Sequence, residues 1–336
     1  MKALTEKLMK RFNVQKTFFS FMLVFIVVLF TILNPRFISA ASIVNISRQM
    51  AERMIMGVGM TFALISGGVD LSVAKVGVMS GCLAGLIMVQ LGGVIPDVWV
   101  ILIAVFAALV LGMVFGLVNG LIISRLRVLP FIATMGTMTI AYGVALLITG
   151  GETISKLPKA FTTMGTGYIL RNSFEGLQGV QGIPVSVLIM IGVILIGGFV
   201  MSKTEFGLNV YAIGGNYKAS KLAGLNNEWI LVQVYMISGV LSALAGLVLT
   251  ARMISAQPGL WEGVNLEVIA GCVIGGTSMR GGTGTVLASF LGILLMTMIT
   301  TGLNLAGIDY SWQQLVVGTL VIAAVSLDML SKKKEI

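Results

Sequence analysis

The sequence of 336 residues contains no histidine and only two cysteines, Cys82 and Cys272. The absence of imidazole excludes histidine-based acid–base chemistry and serine–histidine triads, and two thiols cannot complete a multi-cysteine or cysteine–histidine metal site. The phosphate-binding pattern GxxxxGK[ST] is also missing, because the closest stretch, GGTSMRGGTGT at 275–285, lacks its lysine–serine/threonine pair. We therefore expect no enzyme activity, no catalytic residue, no metal site and no cofactor in this chain.

Charged residues make up only 10% of the chain, whereas hydrophobic residues make up 57% and glycines number 42. Such a composition lies far outside the range of soluble domains and predicts an all-α membrane protein surrounded by lipid. The formal net charge of +9 does not indicate a nucleic-acid partner, because membrane proteins concentrate lysine and arginine in their cytoplasmic segments.

Apolar runs predict the membrane spans, since a helix that rises about 1.5 Å per residue needs roughly 20 apolar residues to cross a hydrocarbon core of about 30 Å. Two runs, 54–68 and 266–276, are short and end in a glycine pair followed by polar residues. With eight longer runs they predict about ten transmembrane helices, two of them short and glycine-broken, in a single domain. The longer runs are 18–33, which lacks a following signal-peptide cleavage pattern, and 71–89, 98–124, 126–148, 184–201, 229–251, 285–305 and 312–330.

An even number of spans places both termini on one side of the membrane, and the positive-inside rule identifies that side as the cytoplasm. In this orientation the cytoplasmic segments hold 15 of the 22 lysine and arginine residues. The prediction is a multi-pass protein of the cell (inner) membrane with both termini cytoplasmic. Residues 150–182, which include Asn172, Glu175 and Gln178, form the longest extracytoplasmic loop, and 202–228 form the longest cytoplasmic loop.

Glycines recur at four-residue spacing within two of the predicted spans. This spacing places a smooth stripe on one helix face, which lets two helices approach closely inside a membrane. We interpret the stripes as helix-packing surfaces that carry no information about a substrate. They consist of Gly77, Gly81 and Gly85 in one span and Gly112, Gly116 and Gly120 in the next.

The two short spans end in similar motifs, ISGGVDLS at 65–72 and IGGTSMRGG at 274–282. A helix broken at membrane depth exposes backbone groups that lipid does not tolerate, so paired breaks indicate a translocation site lined by protein or water. Either an internal repeat or convergent glycine packing explains the similarity of the two motifs.

Asp70 and Glu267 are the acidic residues closest to membrane depth, where a carboxylate costs about 2.5–3.5 kcal/mol on insertion scales. Asp70 either lines a wet path or gate, or is a helix-end carboxylate that contacts interfacial water or Lys75. Uncharged polar residues extend the set of candidates. The predicted translocation path comprises Ser66, Asp70, Ser72, Gln257, Asn265, Glu267, Thr277 and Asn304.

A basic segment with small residues, YAIGGNYKASKLAGL at 211–225, separates two apolar spans. Ala219, Leu222 and the lysines at 218 and 221 have helical spacing, which predicts a short amphipathic helix parallel to the membrane. Such a helix is either a solvated interfacial element or a knob that docks into a cytoplasmic partner.

Four stretches, in order along the chain, resemble the membrane-spanning permease subunits of bacterial ABC importers for simple sugars, of the ribose-type group. They are GMTFALISGGVDLS (59–72), YAIGGNYKASKLAGL (211–225), SAQPGLWEGVNLEVIAGCVIGGTSMRGGTG (255–284) and TGLNLAGIDYSWQQLVVG (301–318). The resemblance implies a ten-helix permease that works as a dimer with a second copy or a paralogue. It also implies two other partners, an extracytoplasmic sugar-binding protein and a cytoplasmic ATPase subunit that holds ATP and Mg²⁺.

In that family the loop between the sixth and seventh spans holds the helix that couples the permease to the ATPase. The predicted coupling residues here are Gly214, Gly215, Asn216, Lys218, Ala219, Lys221 and Gly224. Where relatives commonly have LSVGS this chain has LSVAK, with Ala74 and Lys75, and a usual GYELD run becomes GVNLE at 263–267. These departures leave open which sugar is carried and whether the dimer is homomeric.

The leading hypothesis is therefore the permease subunit of an ABC sugar importer that works by alternating access. The alternative is an ion-coupled secondary transporter that acts without an ATPase, for which Asp70 and Glu267 are the available ion-binding carboxylates. A purely structural membrane scaffold fits the broken helices poorly.

Overall fold

A computed structural model describes residues 21–170 and 182–333 of the chain. These residues form thirteen α-helices, a short 3₁₀ helix at Pro35–Ile38 and a two-stranded antiparallel sheet. The helices are α1 (Phe21–Leu33), α2 (Ala40–Ile65), α3 (Val73–Leu91), α4 (Asp97–Ser124), α5 (Pro130–Thr149), α6 (Lys159–Thr166), α7 (Val185–Lys203), α8 (Glu205–Gly215), α9 (Tyr217–Leu222), α10 (Asn227–Met253), α11 (Val264–Ile274), α12 (Val286–Leu305) and α13 (Tyr310–Lys333). The strands are β1 (Tyr168–Ile169) and β2 (Ile183–Pro184).

Six helices are long and apolar enough to cross a membrane: α3, α4, α5, α7, α10 and α12. Each falls on one of the predicted long runs, so the all-α membrane architecture is confirmed. The described part of the 150–182 loop contains α6 and strand β1, and β2 follows directly after the loop. Asn172, Glu175 and Gln178 of that loop lie outside the described residues.

Helix α2 differs from its prediction as a short span at 54–68. It has 26 residues and begins at Ala40. The apolar run missed its N-terminal part because that part contains Arg48, Glu52 and Arg53. Glu52 is 1% exposed, so its carboxylate is packed within the protein. The other short span is confirmed, since α11 has only 11 residues.

Helix α10 lies at the centre of the bundle and packs against α2, α3 and α4. The glycine stripe of α4 meets it in an antiparallel arrangement: Gly112 lies against Gly239 and Gly120 against Val232. The stripe of α3 meets it in a parallel arrangement, with Gly77 against Gly246. The interpretation of both stripes as packing surfaces is confirmed, and backbone contact at these glycines holds α10 between its neighbours.

Residues 254–263, here called the re-entrant segment, connect α10 to α11 by returning into the bundle. A β-carbon placed on Gly85 of α3 would lie 2.9 Å from the Cβ atom of Ala256, and one on Gly77 would lie 2.8 Å from the indole ring of Trp261. Eight residues of helix separate these two glycines, a rise of about 12 Å. The segment therefore descends along α3, and α11 is short because it begins inside the bundle.

We expect Gly112→Ala to lower the stability of the protein, because the new methyl group would lie 2.6 Å from the Cβ atom of Ala243 and still closer to the Gly239 carbonyl oxygen. Overpacking of this kind costs about 1–3 kcal/mol. Thermal unfolding in nanodiscs measures the effect. Gly143→Ala is the matched control, because Gly143 of α5 has open space around its Cα atom; equal melting temperatures for both variants would contradict the packing interpretation.

Candidate functional site

Helix α9 is the short helix predicted in the 211–225 segment. Asn216 caps its start, and its side-chain oxygen accepts hydrogen bonds from the backbone N–H groups of Lys218 and Ala219 at 3.1 and 3.0 Å. At its end the N–H of Leu225 donates to the Ser220 carbonyl at 3.1 Å. The helix is preceded by α8, which the sequence pattern did not separate from it.

No apolar face of α9 packs against the described protein, and the amphipathic helix parallel to the membrane stays a prediction. Leu222 is 90% exposed, and Ala219 and Lys218 are exposed beside it. The buried side chain is Ser220, whose hydroxyl oxygen accepts from the Nδ2 of Asn227 at 2.9 Å. Because a polar residue anchors α9 to the start of α10, its apolar and basic side chains project together from the surface.

Glycines join the end of α8 to two other chain segments. The N–H of Gly282 donates to the carbonyl of Ile65 at 2.8 Å. A β-carbon on Gly214 would lie 2.6 Å from that nitrogen, and one on Gly281 would lie 2.9 Å from the Cα atom of Gly67. We call these three contacting segments the glycine junction: Ile65–Gly67, Gly214–Gly215 and Gly281–Gly282.

The junction brings together the two helix-break motifs noted in the sequence. Helices α2 and α11 end in the same way, with Gly67 at φ +88° and Gly276 at φ +107°, a conformation that glycine adopts without strain. The N–H of the next residue then donates to the carbonyl five positions earlier, from Gly68 to Ala63 at 2.9 Å and in the same pattern after α11 at 3.0 Å. The motif at 65–72 and the loop after α11 therefore contact each other and the segment that leads into α9.

Two further contacts extend the junction to the last two helices. The hydroxyl of Tyr211 on α8 donates to the Gly284 carbonyl at 2.7 Å, just before α12. The hydroxyl of Ser278 and the N–H of Met279 donate to Asp328 of α13, each at 3.3 Å. A displacement of α8 would thus act directly on the loop between α11 and α12.

Asp70 is 1% exposed and belongs to a buried hydrogen-bond cluster. It accepts from the Ser72 hydroxyl at 2.6 Å and from the Ser238 hydroxyl at 2.7 Å. Asn119 of α4 donates to Ser72 at 3.0 Å. The expected contact with Lys75 is absent, because the Lys75 ammonium donates to the Leu260 carbonyl instead. The cluster links α3, α4 and α10.

Glu267, the second acidic candidate, forms an ion pair with Arg53 at 3.0 Å. One residue earlier on α2, Glu52 pairs with Arg252 through two hydrogen bonds. These pairs join α2 to α11 and to α10. Glu52 was not among the candidates drawn from the sequence, although the opposite charges at adjacent positions 52 and 53 were an available signal.

The other predicted path residues are distributed over the bundle. Ser66 and Thr277 are buried, and their hydroxyls hydrogen-bond with the Ala63 carbonyl and the Ser289 hydroxyl. Gln257 lies within the re-entrant segment, and Asn265 lies just after it, with its side-chain nitrogen 3.7 Å from the Met138 sulfur. Asn304 is exposed and accepts from Gln313 at 2.9 Å. The candidates therefore do not form one binding site within the described chain.

Residues 42–325 match the family model described as the permease component of the branched-chain amino acid transport system. The chain belongs to this permease family. The permease is 38% identical to a ribose import permease of Bacillus subtilis over 90% of its own length and 89% of the relative. It is 36% identical to a galactose/methyl galactoside import permease of Haemophilus influenzae over 90% of each chain. No solved structure gives a significant match.

In this permease we expect Arg252→Met to destabilise the fold strongly, because it leaves the Glu52 carboxylate buried without its partner. Removal of one member of a buried ion pair costs about 3–5 kcal/mol. Thermal unfolding of the purified variant measures the loss. The double variant Glu52→Met/Arg252→Met should recover most of the stability; a double variant as unstable as Arg252→Met alone would contradict the pairing.

Proposed function

We propose that this permease is the membrane-spanning subunit of an ABC importer for a simple sugar. An extracytoplasmic binding protein delivers the sugar, and a separate ATPase subunit with bound ATP and Mg²⁺ drives its transport. The ribose and galactose import permeases among its relatives support this function. The lack of a phosphate-binding loop in the chain supports an ATPase on another polypeptide.

The observation that carries the proposal is the exposed helix α9 next to the glycine junction. Leu222, which is 90% exposed, and the exposed Lys218 and Lys221 lie close together on α9, so a partner that covers this helix would contact one apolar side chain and two positive charges. Gly214, Gly215, Asn216, Ala219 and Gly224 shape this surface and its link to the bundle. We assign α9 to the ATPase contact, within a cytoplasmic coupling loop at 202–228.

If α9 contacts the ATPase, the transmembrane topology follows. Ten helices, α1–α5, α7 and α10–α13, cross or enter the inner membrane, with both termini and α9 in the cytoplasm. Residues 150–182 are then extracytoplasmic and are available to the binding protein. A second permease copy or a paralogue completes the translocation path, which neither Asp70 nor the scattered polar candidates enclose within one chain.

The mechanism is alternating access. ATP-driven closure of the ATPase pair displaces α9, and α8 transmits the displacement to the glycine junction. The junction contacts the end of α2 and the loop between α11 and α12, so both broken helices move together. ATP shifts the equilibrium between the two access states only as far as it binds them differently.

An ion-coupled mechanism would need an acidic residue that is able to bind a proton or cation. Glu267 is paired with Arg53, and Asp70 accepts hydrogen bonds from two serine hydroxyls. These partners give both carboxylates structural roles, so the ATP-driven function is the one we propose.

We expect Lys218→Glu/Lys221→Glu to abolish co-purification of the ATPase subunit, because charge reversal on both exposed lysines alters the docking surface. Pull-down of the assembled complex from membranes measures the association. Lys203→Glu at the exposed end of α7 is the control for a changed surface charge. Undiminished co-purification and undiminished sugar-stimulated ATP hydrolysis in the lysine variant would contradict the assignment of α9. Uptake by the purified chain from an ion gradient, without an ATPase, would also contradict it.

Gly214→Ala should uncouple transport from ATP hydrolysis, because its methyl group would lie 2.6 Å from the Gly282 nitrogen inside the junction. The neighbouring variant Gly215→Ala is the matched control, since its methyl group meets no atom within 4 Å. We expect binding-protein-stimulated ATP hydrolysis and uptake to fall at least several-fold in the first variant alone, with the ATPase still bound. Equal activity of both variants would show that the junction does not transmit the motion.

A further inference from the structure

The re-entrant segment faces water or protein and not lipid. Between residues 257 and 263 of the described chain, only the N–H of Leu260 donates to a backbone carbonyl, that of Gln257 at 3.4 Å. Non-helical backbone at membrane depth requires polar surroundings, because lipid offers no hydrogen-bond partners. This part of the surface therefore lines a hydrated path or a subunit contact.

Lys75 lies beside this segment, near the middle of the bundle. One half-turn further along α3, Gly77 packs on Ser242 and Gly246 of α10. Helix α10 runs Asn227–Met253, so these residues lie just past its midpoint. A charged side chain at such a depth is costly, and charged residues retained there mark solute or ion pathways.

The contacts of Lys75 leave part of its ammonium group available. Its Nζ atom donates to the Leu260 carbonyl at 3.0 Å and lies 4.7 Å from the centre of the Tyr142 ring. No second acceptor is within hydrogen-bonding distance among the described residues, although an ammonium has three N–H donors. Lys75 is partly exposed and Tyr142 is 37% exposed, so the remaining donors are accessible from the hydrated face.

Glu262 is the acidic group that faces this lysine from the re-entrant segment, and its charge acts on Lys75. Their side chains form no ion pair within 4 Å, and Glu262 is exposed to solvent. Water therefore screens the carboxylate more strongly than the partly buried ammonium. The arrangement presents a positive donor beside the aromatic ring of Tyr142.

We propose that Lys75 is a specificity-determining residue of the translocation path, which binds solutes that carry a carboxylate on a sugar ring. The ammonium would form a charge-assisted hydrogen bond with the carboxylate. The Tyr142 ring would contact the apolar side of the sugar. This inference rests on the proposed function and narrows its substrate class from simple sugars to sugar acids.

Equilibrium titration of the full-length chain in nanodiscs tests the proposal. D-galacturonate and D-galactose serve as probes, because they share a ring and differ only in whether C6 is a carboxylate or a hydroxymethyl group. Quenching of tryptophan fluorescence reports binding, and Trp261→Phe identifies the signal that arises next to the Leu260 contact. We expect galacturonate to half-saturate the unaltered protein at about tenfold lower concentration than galactose.

Lys75→Met should remove the difference between the two probes, whereas Lys75→Arg should retain it. Glu262→Gln separates a binding role from a structural one. If Lys75 binds the carboxylate, this variant should tighten galacturonate binding, because it removes a competing negative charge. If Lys75 and Glu262 only stabilise each other, Glu262→Gln and Lys75→Met should each weaken the binding of both probes to a similar extent, and that result would overturn the proposal.

Equal half-saturation by the two probes, or no saturable signal with either, would also overturn it. The Lys75 variants must elute as the unaltered protein does in size-exclusion chromatography. Co-purification of the ATPase with the same variants shows whether only the proposed sugar-acid specificity has failed or the proposed importer function as well. An intact complex without acid preference would leave the coupling role of α9 standing and refute only the substrate class.

Discussion

The fold depends on one constraint: inside a membrane, each backbone N–H and carbonyl group needs a partner from the protein or from water. Helices α2 and α11 both stop within the bundle, and each stop leaves such groups exposed. Glycines provide partners for these backbone groups in two ways. Gly67 and Gly276 turn the chain back onto its own helix end, and the absence of side chains at Gly214 and Gly282 lets neighbouring backbones touch. The tightly packed glycine junction provides the hydrogen-bond partners that water would provide in a soluble protein.

That junction also gives the permease a mechanical connection between its surface and its interior. Helix α9 projects apolar and basic side chains, and α8 carries it directly to the ends of the broken helices. Interiors packed this closely transmit displacement instead of absorbing it. The buried Asp70 cluster and the Glu52–Arg252 pair hold the surrounding helices in fixed positions. A permease without its own energy source needs this combination of an exposed contact and a stiff path inward.

The backbone groups of the re-entrant segment, which lies along α3, find their partners in a different way. Ala256 and Trp261 of the re-entrant segment pack against glycines of α3, but the N–H groups between residues 257 and 263 are largely left to water or to solute. The ammonium of Lys75 donates a hydrogen bond to the Leu260 carbonyl of this segment, and the aromatic ring of Tyr142 lies beside the ammonium. The chain belongs to the permease family, and we propose that side chains at this segment select the solute. The identity of Lys75 thus bears on the solute more directly than the overall likeness to ribose and galactose permeases does.

The sequence by itself determined the membrane class, the positions of the long apolar helices, the shortness of α11 and the packing role of the glycine stripes. It could do so because hydrophobic length and glycine spacing are local properties of a helix. Only the tertiary structure decided the length of α2, whose charges are compensated by Arg252 and Glu267, about 200 residues away in the chain. It also decided that α9 exposes Leu222 and that Lys75 turns to Leu260 and not to Asp70. Local periodicity carries no information about such contacts, because each depends on which distant segment the folded chain places beside the residue.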